Sequence, residues 1–528
     1  MVRWALPAGS FYRFLAEYLP HLATEAVVGG IFSETTGRAS TPPEHLVAVL
    51  LLRYHDNVSY AVAAERAQFD VRWKAVLGYA PAATVPPVSA STVQDFEAAL
   101  RRLGRHDELL TRSIALAAEA GWIEGPLTVV QDSSPVEGHG AVKDTYNLLG
   151  DGIRKLIRGV AKATGQKPLA TAEQYGAGDL FRRSTKATAD IDWSSPDARR
   201  GFLQRLVQTA EARIAAIDPR EPWGADPTVR AAVAVLQKVM AQDLERDAAG
   251  RVTLRQGVAA DRLISVGDPE MRRGHKSQSE PFEGYKFHHS AETGFGFIVA
   301  IDVTGANVHD SEPSEPMVAR AEDATGCLVE KVIGDGAYGT EKNRVAHAAA
   351  PRALVSKLPR TPDRGVLPKQ AFAIDVPAHT VTCPEGVTIT TSSIVRHGEG
   401  EPGRGLRQPA DRARLFVFNT PACASCPQRG GCVPAKHPHR TIVVGPHEAL
   451  FLAARTYETT PAFAADRRTR QLAERTVARL VQLGARHARV VGREAVRAQI
   501  TMIAVVANLT RLAKLGVRAR AAPIAVAA

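Results

Sequence analysis

The stretch LTVVQDSS, Leu127 to Ser134, sets four residues of strand character directly against an acid, Asp132. Val and Thr favour a pleated, half-buried strand, and the two small hydroxyl residues after the acid are turn formers. The expectation is a strand that ends at Asp132, with the backbone turning away and the carboxylate left exposed. Two later segments offer this acid partners. KVIGDGAYGT, around Asp335, reads as another apolar strand ending in an acid, and RTRQLAERTVARL puts Glu474 on a helix. Three carboxylates at one end of a sheet would make a site for divalent metal.

The rest of the chain sets the frame for that site. Its 528 residues, 45% hydrophobic, suffice for several domains with their own cores. The longest apolar run, Met502 to Ala507, is too short and too polar at its borders to span a bilayer. The first residues, MVRWALPAGSFYRF, lack a long apolar run before a small-residue cleavage site. We therefore expect a cytoplasmic protein with no membrane partner. The formal net charge is +11, and residues 467 to 520 alone hold twelve Arg and one Lys against Glu474 and Glu494. Such a band is either a phosphate-binding surface or a solvated helix face.

In chain order, residues 1–122 read as a helical N-terminal domain. Pro43 to Tyr54 forms a compact apolar helix, and residues 59–78 form a second, closed by Gly78. Ser91, with Gln94 three residues on, gives a capping-box start to a third. Short helices with short turns suit either a DNA-reading helix-turn-helix or a packing domain. Residues 123–145 carry the first core strand, and 146–262 read as a helical insertion. The core continues over 263–360, where Phe282–Ala291 and Phe295–Val303 flank a Thr293-Gly294 hairpin signal. Residues 361–445 are a second insertion rich in Pro, Gly and Cys, and 446–528 are helices that complete the core. The result is a mixed α/β layer with acids at the carboxyl ends of strands.

Each acid has a plain reading beside the catalytic one. Asp132 can cap a turn, Asp335 can open the Asp-Gly turn, and Glu474 can pair with Arg470 one helical turn earlier. Glu458 and Glu494 compete for the third position, and Asp302 and Asp310 can supplement the second. Taken together, the acids suit phosphodiester chemistry. Two Mg²⁺ ions held ~3.5 to 4 Å apart by hard carboxylate oxygens activate a nucleophile and stabilise the leaving 3′ oxygen.

The four cysteines of residues 361–445 form a separate group. Cys423 and Cys426 have the spacing that lets two thiolates reach one Zn²⁺, and Cys383 and Cys432 can complete a Cys₄ set, with His437 or His439 as substitutes. Plain cytosolic thiols are the alternative. Cys327 reads as packing at the start of a buried strand.

At these residues the sequence resembles the DDE insertion-sequence transposases. The resemblance rests on ERAQFDVRWKAVLG, Asp132 in VVQDSS, DPEMRRGHKSQSEPFEGYKFHHS, the ANVHD turn, GDGAYG, and the tail GARHARVVGREAVRAQITMIAVVANLTRLAKL. More narrowly it resembles the bacterial branch with a helical N-terminal domain and a four-cysteine segment. It implies an RNase H-like α/β fold with a mixed sheet, a helical insertion and a small cysteine-bearing insertion. It also implies Asp132, Asp335 and Glu474 as the catalytic metal ligands, two Mg²⁺ ions with Mn²⁺ as substitute, and a homodimer in a synaptic complex on element ends and target DNA. Relatives carry a tyrosine and a lysine where Arg467 and Val481 stand here.

The corresponding DNA-contacting candidates are Arg272, Arg273 and Lys276 before the hairpin, and Arg467, Arg470 and Arg479 near Glu474. On one continuous helix, 467, 470 and 474 would share a face. Tyr338 can bond a phosphate or pack, and His309 reads as structural. The expected activity is cleavage at element ends followed by transfer of the 3′-OH to target DNA, in a protein associated with the nucleoid when bound. A nuclease without strand transfer and an inactive DNA-binding derivative are the alternatives.

Overall fold

The computed structural model describes residues 6–31, 41–277, 279–359, 365–395 and 412–516. The chain forms two compact units. The first comprises Met1–Pro126, Gln131–Leu328 and Leu472–Ala528, and the second Leu127–Val130 and Val329–Gln471.

The first unit begins with helices. Pro43–Asp56 is apolar all round, with Leu46 through Leu52 fully buried, so it runs through the middle of its neighbours instead of lying on a surface. Asn57 ends it in the left-handed conformation at φ 54°. The expected single helix over 59–78 is two, Tyr60–Phe69 and Val71–Val76, because the Asp70 side chain accepts the Arg72 N–H and starts a new helix. The next helix, Ala90–Arg102, is capped by Ser89 and not Ser91.

Two buried acids tie these helices together. Asp56 accepts from Tyr12 Oη at 2.7 Å, Arg66 at 2.6 Å and Trp73 Nε1 at 3.1 Å. Glu97 accepts from Tyr54 Oη at 2.6 Å, Tyr60 Oη at 2.7 Å and Arg53 at 3.3 Å. Burial disfavours the Asp56 charge, but hydrogen bonds from His55, Tyr12 and Trp73 outweigh it and hold the carboxyl below the usual range.

The Asp132 strand runs from Leu127 to Glu137, so it does not turn away at Ser133. Long-range bonds carry it on: Glu137 N–H reaches Arg486 O and Gly138 N–H reaches Glu283 O, both at 2.8 Å. Gln131 is buried beside Asp132, where its amide donates to Ser290 Oγ and accepts from Ser314 Oγ. The neighbouring strand is Glu280–Glu292, which pairs antiparallel with Arg272–Ser277 at its start and with Ile298–Gly305 further along. Gly284 belongs to the close approach of these strands, since a Cβ there would lie 2.2 Å from Val136 O.

The hairpin is present with a longer tip than expected. The Glu292 carboxylate accepts the N–H groups of Gly294, Phe295 and Phe297, which holds the second arm back to Ile298. The terminal helix, Arg493–Leu515, buries most of its length. The helices Thr145–Thr164, Pro196–Ala215 and Pro227–Asp243 share a core of their own.

In the second unit, residues 127–130 pair parallel with Val329–Ile333, which pairs parallel with Ala353–Val355. Two small three-stranded sheets follow: Ala373–Asp375, Thr380–Thr382 and Thr388–Ile389, then Ser392–Ile394, Arg414–Phe418 and Arg440–Val444. Helices Glu448–Glu458 and Pro461–Thr469 end the unit. Parallel and antiparallel pairing with a helical N-terminal part make this a mixed α/β chain of the RNase H-like kind.

Candidate active site

Asp132 is half-buried within its strand, and its Oδ1 accepts the Ser133 N–H at 2.8 Å. The preference for a local bond is the one expected of Asp before Ser, although the strand continues. On the neighbouring strand His289 is fully buried. Burial pushes it down to about 3, the adjacent His288 pushes the same way, and the backbone of Asp132 opposes them weakly. His288 donates to or accepts from Thr304 Oγ1 at 2.9 Å and is lowered to about 4, chiefly by burial, against the pull of Asp310 and Asp302.

The supplementary acids already have partners. Asp302 takes the Val303 N–H at 2.9 Å and pairs with Arg320 at 3.3 Å, and Asp310 pairs with Lys286 at 2.7 Å. His309 Nδ1 meets Ser311 Oγ at 2.7 Å, which agrees with its structural reading.

Asp335 lies two residues past Val329–Ile333 and caps the short 3₁₀ turn Gly336–Tyr338, its Oδ1 accepting Ala337 N–H at 2.9 Å. Ser356 Oγ donates to the Asp335 carbonyl. Gly334 is required by packing: a Cβ there would lie 2.7 to 2.9 Å from Tyr338 side-chain atoms. Tyr338 is buried at 2% exposure, so it packs and does not reach for phosphate. Glu458 is in the same unit, where it accepts the Leu358 N–H just beyond Ala353–Val355.

Glu474 is exposed in the first turn of Gln471–Leu480. Arg467 belongs to the preceding helix and Arg470 caps it, so the three do not lie on one continuous helix and the shared-face argument lapses. Arg479 is half-buried, and burial lowers its pKa. Arg518 and Arg520 of the basic band lie outside the described residues. Asp132 and Glu474 belong to the first unit and Asp335 to the second. Among the described residues, no three His, Cys, Asp or Glu side chains are gathered as a ready metal site.

The basic segment before the hairpin is a strand, not a loop. Arg272 bonds Asp261 and the carbonyls of Pro269 and Met271, which commits it to structure. Arg273 and Lys276 are exposed and loosely paired with Glu283 at 3.8 Å and Glu280 at 3.7 Å. Exposed pairs this long contribute little and exchange readily for phosphate.

In the second unit the thiols of Cys383, Cys423, Cys426 and Cys432 line one cavity of about 240 Å³. Burial raises the Cys432 thiol, Arg440 opposes it, and the other three cysteines add to the rise. Cys327 is half-buried ahead of its strand, in the first unit, against Gly125.

Two family models match this chain. One, described as "Transposase DDE domain", covers residues 382–513, and one described as "Transposase domain (DUF772)" covers residues 2–99. No curated protein matches it. The two matches support a transposase function, and the DDE match supports an enzyme. Over these two segments the chain is similar to insertion-sequence transposases of the DDE type. Glu474 and the four cysteines fall inside the DDE match, while Asp132 and Asp335 lie outside both. No helix among the described residues is long and apolar enough to cross a membrane.

Proposed function

We propose that this transposase cleaves DNA at the ends of its element and joins the freed 3′-OH to target DNA, with Asp132, Asp335 and Glu474 as its catalytic acids. The observation that carries the assignment is a register. Val130 and Ile333 are the last paired residues of two parallel strands, and Asp132 and Asp335 each follow two residues later. Asp335 lies just past the carboxyl end of its parallel strand, where open α/β sheets present their chemistry, and Asp132 follows the point where the parallel pairing of its own longer strand ends.

The donor set fits a hard cation. Three carboxylates suit Mg²⁺, with Mn²⁺ as substitute, and when bound two such ions supply activation of the attacking oxygen and stabilisation of the leaving one. The chain's own contribution is to hold the acids: Ser133 N–H fixes Asp132, and Ala337 N–H fixes Asp335. In the first step water attacks the phosphorus and the P–O3′ bond at the element end breaks. In the second, the freed 3′ oxygen attacks a target phosphorus and displaces its 3′ oxygen.

On this reading Arg273, Lys276, Arg467, Arg470 and Arg479 contact DNA phosphates, with Arg272 bracing its strand. Residues 1–122 contribute DNA binding, 146–262 and 361–445 are insertions in the catalytic core, and a homodimer synapses two ends at the nucleoid. The test is a cleavage and joining assay on linear DNA carrying the ends that flank the gene. Wild type cleaves and joins in Mg²⁺, while Asp132→Asn and Asp335→Asn retain binding in a gel shift and lose both steps. Undiminished cleavage by either variant overturns the assignment. Cleavage without joining makes the protein a nuclease, and binding without cleavage by wild type makes it an inactive derivative.

A further inference from the structure

We infer that Cys383, Cys423, Cys426 and Cys432 form a structural Zn²⁺ site that ties together the two small sheets of the second unit. This inference stands apart from the catalytic reading. Four cysteines line one cavity: Cys383 in a turn, Cys423 in the short helix Pro421–Ala424, Cys426 just after it, and Cys432 at the end of the short helix Arg429–Cys432; its walls also include Phe418 from the second sheet and Val387 beside the first. His437 and His439 are not among the lining residues, which leaves the four thiols as the ligand set.

The turns have the geometry of thiolate-holding loops. In Cys383-Pro-Glu-Gly-Val387, the Cys383 N–H donates to Val387 O at 2.9 Å and the Gly386 N–H to Cys383 O at 3.0 Å. The Val387 N–H then points at Cys383 Sγ, at 3.3 Å. Gly386 sits at φ +80°, a conformation that side chains rarely adopt. On the second loop, Thr420 Oγ1 lies 3.3 Å from Cys423 Sγ, and the Arg429 N–H donates to Cys426 O at 3.1 Å. Bonds of this kind from amides and hydroxyls orient and stabilise a ligating sulfur.

Charge and core size point the same way. Zn²⁺ with four thiolates carries two net negative charges, and Arg429 and Arg440 both line the cavity. Each is pinned to a ligand's own backbone: Arg429 to Cys423 O at 3.1 Å and Arg440 to Cys432 O at 3.3 Å. The apolar core here is small, with seven buried residues among those described, Phe372 to Val444. A core of that size needs a staple. The four thiols are not gathered as a ready site in this structure, so binding the ion would draw them inward as they release their protons to solvent.

The experiment uses full-length protein purified under reducing conditions with Zn²⁺ supplied and no affinity metal. Elemental analysis is expected to find about one zinc per chain, and Co²⁺ substitution to give the absorption of a tetrahedral thiolate site. Cys383→Ser and Cys426→Ser lose most of the zinc, while Cys327→Ser keeps it. Wild-type protein with well under one zinc per chain, a Co²⁺ spectrum without thiolate character, or the four cysteines recovered as two disulfides would each overturn the site. Because the first two readings need only wild type, a variant that fails to fold does not rescue the inference.

Discussion

Asn508, on the terminal helix, meets the backbone of Ile298 twice: its Oδ1 accepts the Ile298 N–H at 2.8 Å and its Nδ2 donates to the Ile298 carbonyl at 2.9 Å. One side-chain amide thus does for the start of this arm what a paired strand residue would do. The same Nδ2 also reaches Ser113 Oγ at 3.2 Å, on the helix Arg105–Glu119. All of this is buried, so Asn508→Leu leaves a backbone donor and acceptor unmet. We expect a loss of about 3 kcal/mol in urea unfolding. A change under about 0.5 kcal/mol would mean that water takes over the amide's bonds.

Asp56 is the acceptor for three helices' worth of donors, and only 6% of its side chain is exposed. Asp56→Ala strands Tyr12, Trp73 and Arg66 together. The expected cost is about 3 kcal/mol in chemical denaturation, with loss of near-ultraviolet dichroism from Trp73. An unchanged midpoint would remove Asp56 as the organiser of these helices.

His288 and His289 set a pH dependence. Their folded-state values, about 4 and about 3, lie below the ordinary 6.5, so the unfolded chain binds protons that the folded chain refuses. Stability therefore falls as pH drops from about 6.5 toward about 4, by a few kcal/mol at most. His289→Asn should flatten that decline in a series of melts across the window. A wild-type stability that is level over the same range would contradict neutral burial of the pair.

Glu292 holds three amides of the hairpin tip. Glu292→Ala should cost about 2 kcal/mol and raise hydrogen exchange at Gly294, Phe295 and Phe297. Exchange unaltered at those three positions would assign the tip's order to its packing.

Arg467 is exposed and lies in the basic band. If it meets a phosphate, Arg467→Ala lowers the slope of log affinity against log salt by about 1. A slope equal to that of wild type would make this arginine solvated surface.

The legible parts of the sequence were those whose signals are local. The Asp335 turn, the Thr293-Gly294 hairpin and the long helices of 145–243 announce themselves through periodicity or through Gly and Asp within a few residues. The strand through Asp132 runs past Ser133, Ser134 and Pro135, which look like a turn locally; just beyond them the Glu137 and Gly138 N–H groups donate to Arg486 O and Glu283 O, far along the chain. Arg272–Ser277 looked like a basic loop for the same reason, since its strand state depends on Glu280–Glu292. The helix break at Arg470 and the extra cap at Asp70 are single-residue events that a periodic pattern runs straight across. At the candidate site the chemical type of each acid and the Asp335 turn could be read, whereas the continuation of the Asp132 strand to Glu137 became visible only in three dimensions.

The chain crosses between the two units four times, and two of these passages fall within elements, one inside the Leu127–Glu137 strand and one at the first residue of the Gln471–Leu480 helix. No linker loop marks either passage. A nick or stop codon therefore cannot release an intact unit: a polypeptide ending at Leu328 keeps Leu127–Val130 but not the parallel strand they pair with. Truncated copies of this gene should yield proteins that proteases clear, and not a shortened repressor with one half still folded.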